Sequence, residues 1–178
     1  MQMGHAPFNK GGFGPLFIYK GIQMKVTEGN LIDLAENGEY DIIVHGCNCF
    51  NRMGSGVAKE IRARYPQVYE ADTRFVPIDP TGRLGKFSVA KCVYKDKDYF
   101  RVVNAYTQYR YASYPGEIVI NYEALRACFS GIASIYGNLR IAYPKIGAGL
   151  AGGDWNIIAD IIDEELKECD HTLIVLPK

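Results

Sequence analysis

Short blocks of apolar residues alternate along the chain between a strand-like and a helix-like spacing. Continuous runs predict strands at MKVT, DIIVH, KFSVAKCVY, YFRVVNAY, LRIAYP and HTLIVL. The segment KDKD joins the third and fourth runs as an antiparallel hairpin. Apolar residues at three- and four-residue steps predict helices between the strands, most clearly over NYEALRACFSGIASIYG and WNIIADIIDEELKEC. Alternating strands and helices predict an α/β fold, a three-layer α/β/α domain with a central mixed sheet.

The regular pattern begins at Met24. Residues 1–23 differ from the rest because glycine and proline are concentrated in MGHAPFNKGGFGP, and FIYKGIQ fits either a short strand or an arm. We interpret 1–23 as an N-terminal arm or an expression remnant, and 24–178 as one domain large enough to bury a core. The pattern leaves the oligomeric state open.

Charge and composition narrow the functional classes. Lysine and arginine number 20, as do aspartate and glutamate, so no net charge favours binding to nucleic acid or an anionic membrane. No stretch approaches the ~20 apolar residues of a membrane span, and no signal pattern opens the chain, so we expect a cytoplasmic protein. Cys47 and Cys49 are closer together than the usual zinc pairs, and no second pair matches them, so no metal is expected.

Two glycine-rich corners carry the strongest functional signal. HGCNCFNRMGSGVA and PKIGAGLAGGDW each follow a predicted strand, turn through glycine and lead into a helix. Such corners can direct backbone N–H groups and a helix N-terminus at one anion, which suits a diphosphate. Gly147, Gly149 and Gly152 form G-x-G-x-x-G, but before the last helix, and the next strand does not end in an acid. This position argues against a nicotinamide-dependent enzyme.

Several polar residues near the predicted strand ends have two interpretations. His45 is either a packed histidine or an acid, base or nucleophile, and Asp154 is a helix N-cap or a carboxylate that orients water. Asn30, Asn48 and Asn104 suit recognition of ribose or adenine, or simply form turns. Tyr106, Tyr109, Tyr111 and Tyr114 make either an aromatic wall for a ligand or a tyrosine-rich surface loop.

Together these segments resemble a macro domain, the ADP-ribose-binding α/β/α module, from Met24 to Lys178. The landmarks VTEGNLI, IIVHGCNCFNRMGSGVA, VVNAYTQ and PKIGAGLAGGDW follow one another in the expected order. Within the family the chain is most similar to the ADP-ribose 1″-phosphate phosphatases, since HGCNC replaces the NAAN-like sequence of many other members. The resemblance implies hydrolysis of ADP-ribose 1″-phosphate to ADP-ribose and phosphate, without a cofactor.

The resemblance also implies roles for individual residues. His45 and Asp154 would be the chemical residues and Asn48 would hold the distal ribose, so these three form the predicted catalytic set. The predicted ligand-binding set contains Asn30 and Leu31 at the adenine, Asn104 and Tyr106 beneath the ligand, and two phosphate loops. The phosphate loops comprise Gly54, Ser55, Gly56 and Val57, and Gly147, Ala148, Gly149, Leu150, Ala151 and Gly152.

Alternative functions would use the same predicted ligand-binding residues. The chain could remove ADP-ribose from a protein, deacylate O-acetyl-ADP-ribose, or bind ADP-ribose without catalysis. Asn30 stands where many relatives have an aspartate that accepts from adenine, so a charged acceptor is missing. The covalent-lysine hydrolases would have their lysine near Asn104 and Ala105 and their aspartate nearer Ala151, and neither residue is present. The expected partners are therefore ADP-ribose and its 1″-phosphate or ester derivatives.

Overall fold

The computed structural model describes residues 24–77, 79–96 and 98–178. Six strands form one sheet: β1 Lys25–Glu28, β2 Ile42–Asn48, β3 Phe87–Lys95, β4 Asp98–Gln108, β5 Ile141–Tyr143 and β6 His171–Val175. Within these described ranges, five α-helices cover it: α1 Leu31–Glu36, α2 Gly56–Arg64, α3 Pro66–Arg74, α4 Tyr122–Tyr136 and α5 Trp155–Glu165. A short 3₁₀ turn covers Pro80–Arg83.

The strands lie in the order β1-β6-β5-β2-β4-β3. Every neighbouring pair is parallel except β3 and β4, which form the predicted antiparallel hairpin. The carboxyl ends of β1, β6, β5, β2 and β4 therefore share one edge of the sheet, which we call the carboxyl edge. Open parallel sheets bind ligands at this edge.

Each face of the sheet is covered by its own apolar layer. Helices α4 and α5 contribute Leu125, Phe129 and Ile158 to one buried cluster, which also contains Val44 of β2. Helices α1, α2 and α3 contribute to a second cluster on the other face, which contains Ile43. The predicted three-layer α/β fold with a mixed sheet is thus confirmed.

Two predictions about the chain's organisation need comment. The predicted end of the second strand at His45 is wrong, because β2 continues to Asn48 and pairs with β4 along that length. The interpretation of 1–23 as an arm or remnant lies outside the described residues. Among the helices that the structure describes, none is long and apolar enough to cross a membrane.

Candidate functional site

Two glycine-containing loops leave neighbouring strands at the carboxyl edge. The first loop, residues 49–55, follows β2, and the second loop, residues 144–154, follows the neighbouring strand β5. Gly46 of β2 lies between them and is partly exposed, although its strand neighbours are buried. A Cβ atom at Gly46 would stand 3.0 Å from Ile146 Cγ2 of the second loop and 3.1 Å from Thr107 Oγ1. Ile146 and Thr107 therefore pack closely against the Gly46 backbone. We call the part of the carboxyl edge between the two loops the groove.

Asn48 shapes the first loop from below. Its Oδ1 accepts hydrogen bonds from the backbone N–H groups of Phe50 (3.0 Å) and Arg52 (3.3 Å), and its Nδ2 donates to the Arg52 carbonyl (3.0 Å). Asn51 adopts a left-handed conformation in this turn, with φ 57°. The amide of Asn48 therefore fixes the loop, and its side chain is nearly buried beneath it.

The first loop leads into the N-terminus of α2 through two glycines, where no side chain covers the backbone. Gly56 has a φ of +54°, and a Cβ atom at Gly54 or Gly56 would meet no atom of the described residues within 4 Å. Ser55 is the N-cap residue but its side chain makes no capping hydrogen bond. The first-turn N–H groups of α2 thus receive no cap from the Ser55 side chain, and Gly54 and Gly56 on either side of Ser55 lack a Cβ atom, with Val57 half-buried next in the chain.

The second loop is a series of tight turns. The N–H of Gly152 donates to the Gly149 carbonyl (3.0 Å), and the N–H of Gly153 donates to the Gly147 carbonyl (2.8 Å). Gly147 and Gly152 have φ of +72° and +69°, which favours glycine at both positions. Ala148 is half-buried and Ala151 buried, while Gly149 and Leu150 are exposed at the tip.

Asp154 is the N-cap residue of α5, so that part of its prediction is confirmed. Its Oδ1 accepts from the N–H of Asn156 (2.9 Å), and its own N–H donates to the Tyr122 hydroxyl (3.0 Å). Oδ2 makes no hydrogen bond within the described residues, and the side chain is exposed. One carboxylate oxygen at the end of the second loop is therefore able to accept a hydrogen bond from water.

His45 lies inside the core rather than at the edge. Its imidazole is 0% exposed and its Nε2 donates to Asn104 Oδ1 at 2.7 Å, while the Cys47 sulfur lies 3.6 Å from both ring nitrogens. Burial lowers the pKa of His45 below its ordinary value. The neutral imidazole thus makes its contacts within the protein, on the face covered by α3.

Asn104 and Tyr106 belong to the same buried network. The Nδ2 of Asn104 donates to the Val68 carbonyl and to Ser88 Oγ, both at 3.0 Å. The Tyr106 hydroxyl donates to Asp72 Oδ1 at 2.8 Å, and burial raises its pKa. Both side chains are 0% exposed. These residues tie β4 to α3 and β3 beneath the groove, and their side chains do not line it.

The adenine-side candidates also serve the fold. Asn30 caps α1, since its Oδ1 accepts from the N–H groups of Ile32 (2.9 Å) and Asp33 (3.1 Å), while its Nδ2 donates to Glu60 Oε1 at 3.0 Å. Leu31 is buried. Both lie at the end of β1, which the sheet order separates from the second loop by the width of β6.

Three features of the site escaped the sequence analysis. Gly46 lets Ile146 of the second loop pack closely on β2, Thr107 Oγ1 is buried beside it with no partner among the described residues, and the Asn30 amide donates to Glu60. A glycine inside a strand is the one local signal that indicated a close approach at this point. Of the four tyrosines, Tyr109, Tyr111 and Tyr114 are exposed beyond the end of β4.

The cysteines at the end of β2 are protonated thiols at neutral pH. Burial raises the pKa of Cys47 well above its ordinary value and that of Cys49 to about 11. Within the part of the chain that the structure describes, no three histidine, cysteine or acidic side chains gather as metal ligands would. The site therefore offers backbone N–H groups, one free carboxylate oxygen and a buried hydroxyl.

Several of the solved structures that superpose on this chain are macrodomains. The macrodomain of Mycobacterium tuberculosis DarG superposes with a TM-score of 0.64 at 19% identity, covering 89% of this chain and 99% of that one. The structure of Thermosipho africanus DarTG in complex with ADP-ribose superposes with a TM-score of 0.64 at 16% identity, covering 86% of this chain and 42% of that one. The fold and the two loops define a macrodomain fold.

Sequence comparison adds one relative. The chain is 33% identical over 155 residues to an uncharacterized 17.5 kDa protein of the tk-vs intergenic region of Enterobacteria phage T4, covering 85% of this chain and 95% of the phage protein. The chain belongs to the same family as this phage protein. No protein-family model matches the chain.

Proposed function

We propose that the groove binds ADP-ribose, with the diphosphate between the two glycine loops. The observation that carries this proposal is the bare backbone at Gly54, Gly56 and Gly149, where a Cβ atom would meet nothing in the described residues. Backbone N–H groups there, with the first turn of α2 behind them, suit an anion that must approach closely. The likeness to a DarTG structure that contains ADP-ribose supports the same ligand.

The sheet order supports an orientation for this ligand. The end of β1, with Asn30, lies on one side of the two loops, and the end of β4, with Tyr109, lies on the other. With adenine towards Asn30, the distal ribose reaches the first loop, which Asn48 holds in place. Asn48 then acts by shaping that loop, since its amide is already bonded to backbone atoms of Phe50 and Arg52.

We further propose hydrolysis at the 1″ position, with ADP-ribose 1″-phosphate as the first substrate to test. Asp154 Oδ2 would orient a water towards the phosphorus, and loop N–H groups would stabilise the charge that develops on the phosphoryl oxygens. Water supplies the oxygen gained by phosphate, and the ribose 1″ oxygen leaves with a proton. The buried position of His45 favours a positioning role, through Asn104, over direct contact with the substrate.

A non-catalytic ADP-ribose reader is the competing function. It is favoured by the burial of His45 and by the capping role of Asp154, because these structural roles account for both residues without a catalytic one. De-ADP-ribosylation and O-acetyl-ADP-ribose deacylation would use the same groove and differ in the group attached at 1″.

Phosphate release from ADP-ribose 1″-phosphate, with calorimetric titration of ADP-ribose in parallel, tests the proposal. Asparagine caps helices about as well as aspartate, so Asp154→Asn keeps the cap and removes the charge. If Asp154 orients water, this variant binds ADP-ribose normally and loses at least about a hundredfold in turnover. Binding without release from the wild type would refute the phosphatase and leave the reader or the hydrolysis of another group at 1″, and the absence of binding would refute all of these functions.

A further inference from the structure

The loop between β4 and α4 is closed by an ion pair. The guanidinium of Arg110 donates to both carboxylate oxygens of Glu117, through Nη1 to Oε2 at 2.9 Å and through Nη2 to Oε1. Nη1 also donates to Ser113 Oγ (3.0 Å) and to the Tyr111 carbonyl (3.1 Å), and the N–H of Ser113 donates to Glu117 Oε2 (2.6 Å). We call Arg110 and Glu117 with these contacts the clasp.

The carboxylate of the clasp stays ionised over the whole physiological range. The hydrogen bonds from Arg110, and then from the N–H of Ser113, lower the pKa of Glu117 to about 2. Arginine is always charged, so both partners carry their charges at neutral pH. The attraction between them is therefore insensitive to pH around neutrality.

The residues that follow Glu117 hold the second loop. The N–H groups of Val119 and Ile120 both donate to the Ala151 carbonyl, at 2.9 and 3.3 Å. A methyl group at Gly152 would collide with the Glu117 carbonyl oxygen, so the two segments are in close backbone contact. The clasp fixes the backbone at Glu117, and the position of this backbone in turn determines the positions of Ala151 and Gly152.

We propose that the Arg110–Glu117 clasp positions the second glycine loop for phosphate binding. This inference rests on the proposed function and adds two positioning residues to it. Arg110 is exposed and Glu117 partly exposed, so their ion pair contributes little to global stability and the clasp acts mainly by reducing the freedom of one loop. A preorganised loop loses less entropy on binding, and the benefit is seen in affinity rather than in the melting temperature.

Removal of either partner tests the proposal, and Arg140 provides a matched control. Arg140 makes a comparable two-pronged pair with Asp41 (2.9 and 2.8 Å), but at the amino ends of β2 and β5, opposite the groove. ADP-ribose affinity is measured by calorimetry for Arg110→Gln, Glu117→Gln, the double variant and Arg140→Gln. Amide hydrogen exchange of residues 145–153 is followed in the same proteins without ligand.

The clasp predicts a coupled loss. Each single variant weakens ADP-ribose binding about fivefold, and the double variant is no weaker than the singles, because the partners act as one unit. Arg110→Lys, which keeps the charge but not the fork, recovers part of the affinity. The amide hydrogens of residues 145–153 exchange faster in the clasp variants than in the wild type. In Arg140→Gln they exchange at the wild-type rate.

Two results would overturn the proposal. One is a wild-type exchange rate for residues 145–153 in the clasp variants, and the other is an affinity loss in Arg140→Gln equal to that in Arg110→Gln. Failure of the proposed function looks different: the wild type itself would not bind ADP-ribose. The exchange experiment would then still test whether the clasp orders the loop.

Discussion

Three glycine-to-alanine substitutions separate conformational strain from collision in the groove. Gly149 has no positive φ and open space around its Cβ position, Gly56 has a φ of +54° and open space, and Gly152 has a φ of +69° and a backbone carbonyl in the way. A left-handed conformation costs an alanine about 1–2 kcal/mol, and overpacking against an atom that cannot rotate away costs about 1–3 kcal/mol more.

The expected changes in the free energy of unfolding follow from these terms. Gly149→Ala leaves it unchanged or raises it by about 0.5 kcal/mol, because alanine restricts the unfolded chain. Gly56→Ala lowers it by about 1 kcal/mol through strain alone. Gly152→Ala lowers it by about 3 kcal/mol, since the Glu117 carbonyl must also move.

Urea denaturation at pH 7.5, followed by circular dichroism, measures the series on one scale. The ranking Gly149→Ala, Gly56→Ala, Gly152→Ala, from most to least stable, is the prediction. Equal losses for Gly149→Ala and Gly152→Ala would refute the reasoning, because the two substitutions lie in the same loop and differ only in strain and collision.

Three further predictions concern the polar residues beneath the groove. Burial lowers the pKa of His45 and His171 below their ordinary 6.5, so the unfolded chain binds protons before the folded chain does as the pH falls. Urea denaturation should therefore show the free energy of unfolding decreasing from about pH 7 to pH 5, and a flat profile would contradict this. Arg83→Leu leaves the buried Asp72 carboxylate without its cation, with the Tyr106 hydroxyl still donating to it, and thermal and urea melts should show a loss of about 3–5 kcal/mol, whereas a loss below about 1 kcal/mol would mean that the pair is solvated. Asn48→Ala removes three hydrogen bonds from the first loop, so the amide protons of residues 49–52 should exchange faster, as measured by mass spectrometry. Unchanged exchange would show that the loop keeps its conformation without the Asn48 side chain.

The sequence predicted the layers of the fold well because apolar runs and helical periods are local signals. Strands β1 to β6 each overlap a predicted run, and the hairpin of β3 and β4 follows from KDKD. The end of β2 was missed because Gly46, Cys47 and Asn48 carry no apolar pattern. They remain in the strand through pairing with Ala105, Tyr106 and Gln108, about 60 positions further along the chain.

The same long-range pairing explains which site residues were harder to predict. His45 was expected at a strand end, but three further strand residues place it in the middle of β2, opposite Asn104. Its hydrogen bond spans 59 positions, and no local pattern encodes such a contact. The glycine loops and the Asp154 cap were predictable because backbone conformation and helix capping depend on neighbouring residues.

Titration of ADP-ribose into the wild type and into Gly149→Ala tests the central claim most directly. The groove is proposed to admit a diphosphate over bare backbone, so a methyl group at the exposed tip of the second loop obstructs the ligand without disturbing the fold. We expect the wild type to bind and Gly149→Ala, equally stable, to bind at least about tenfold more weakly. No binding by the wild type, or equal binding by both proteins, would contradict the account.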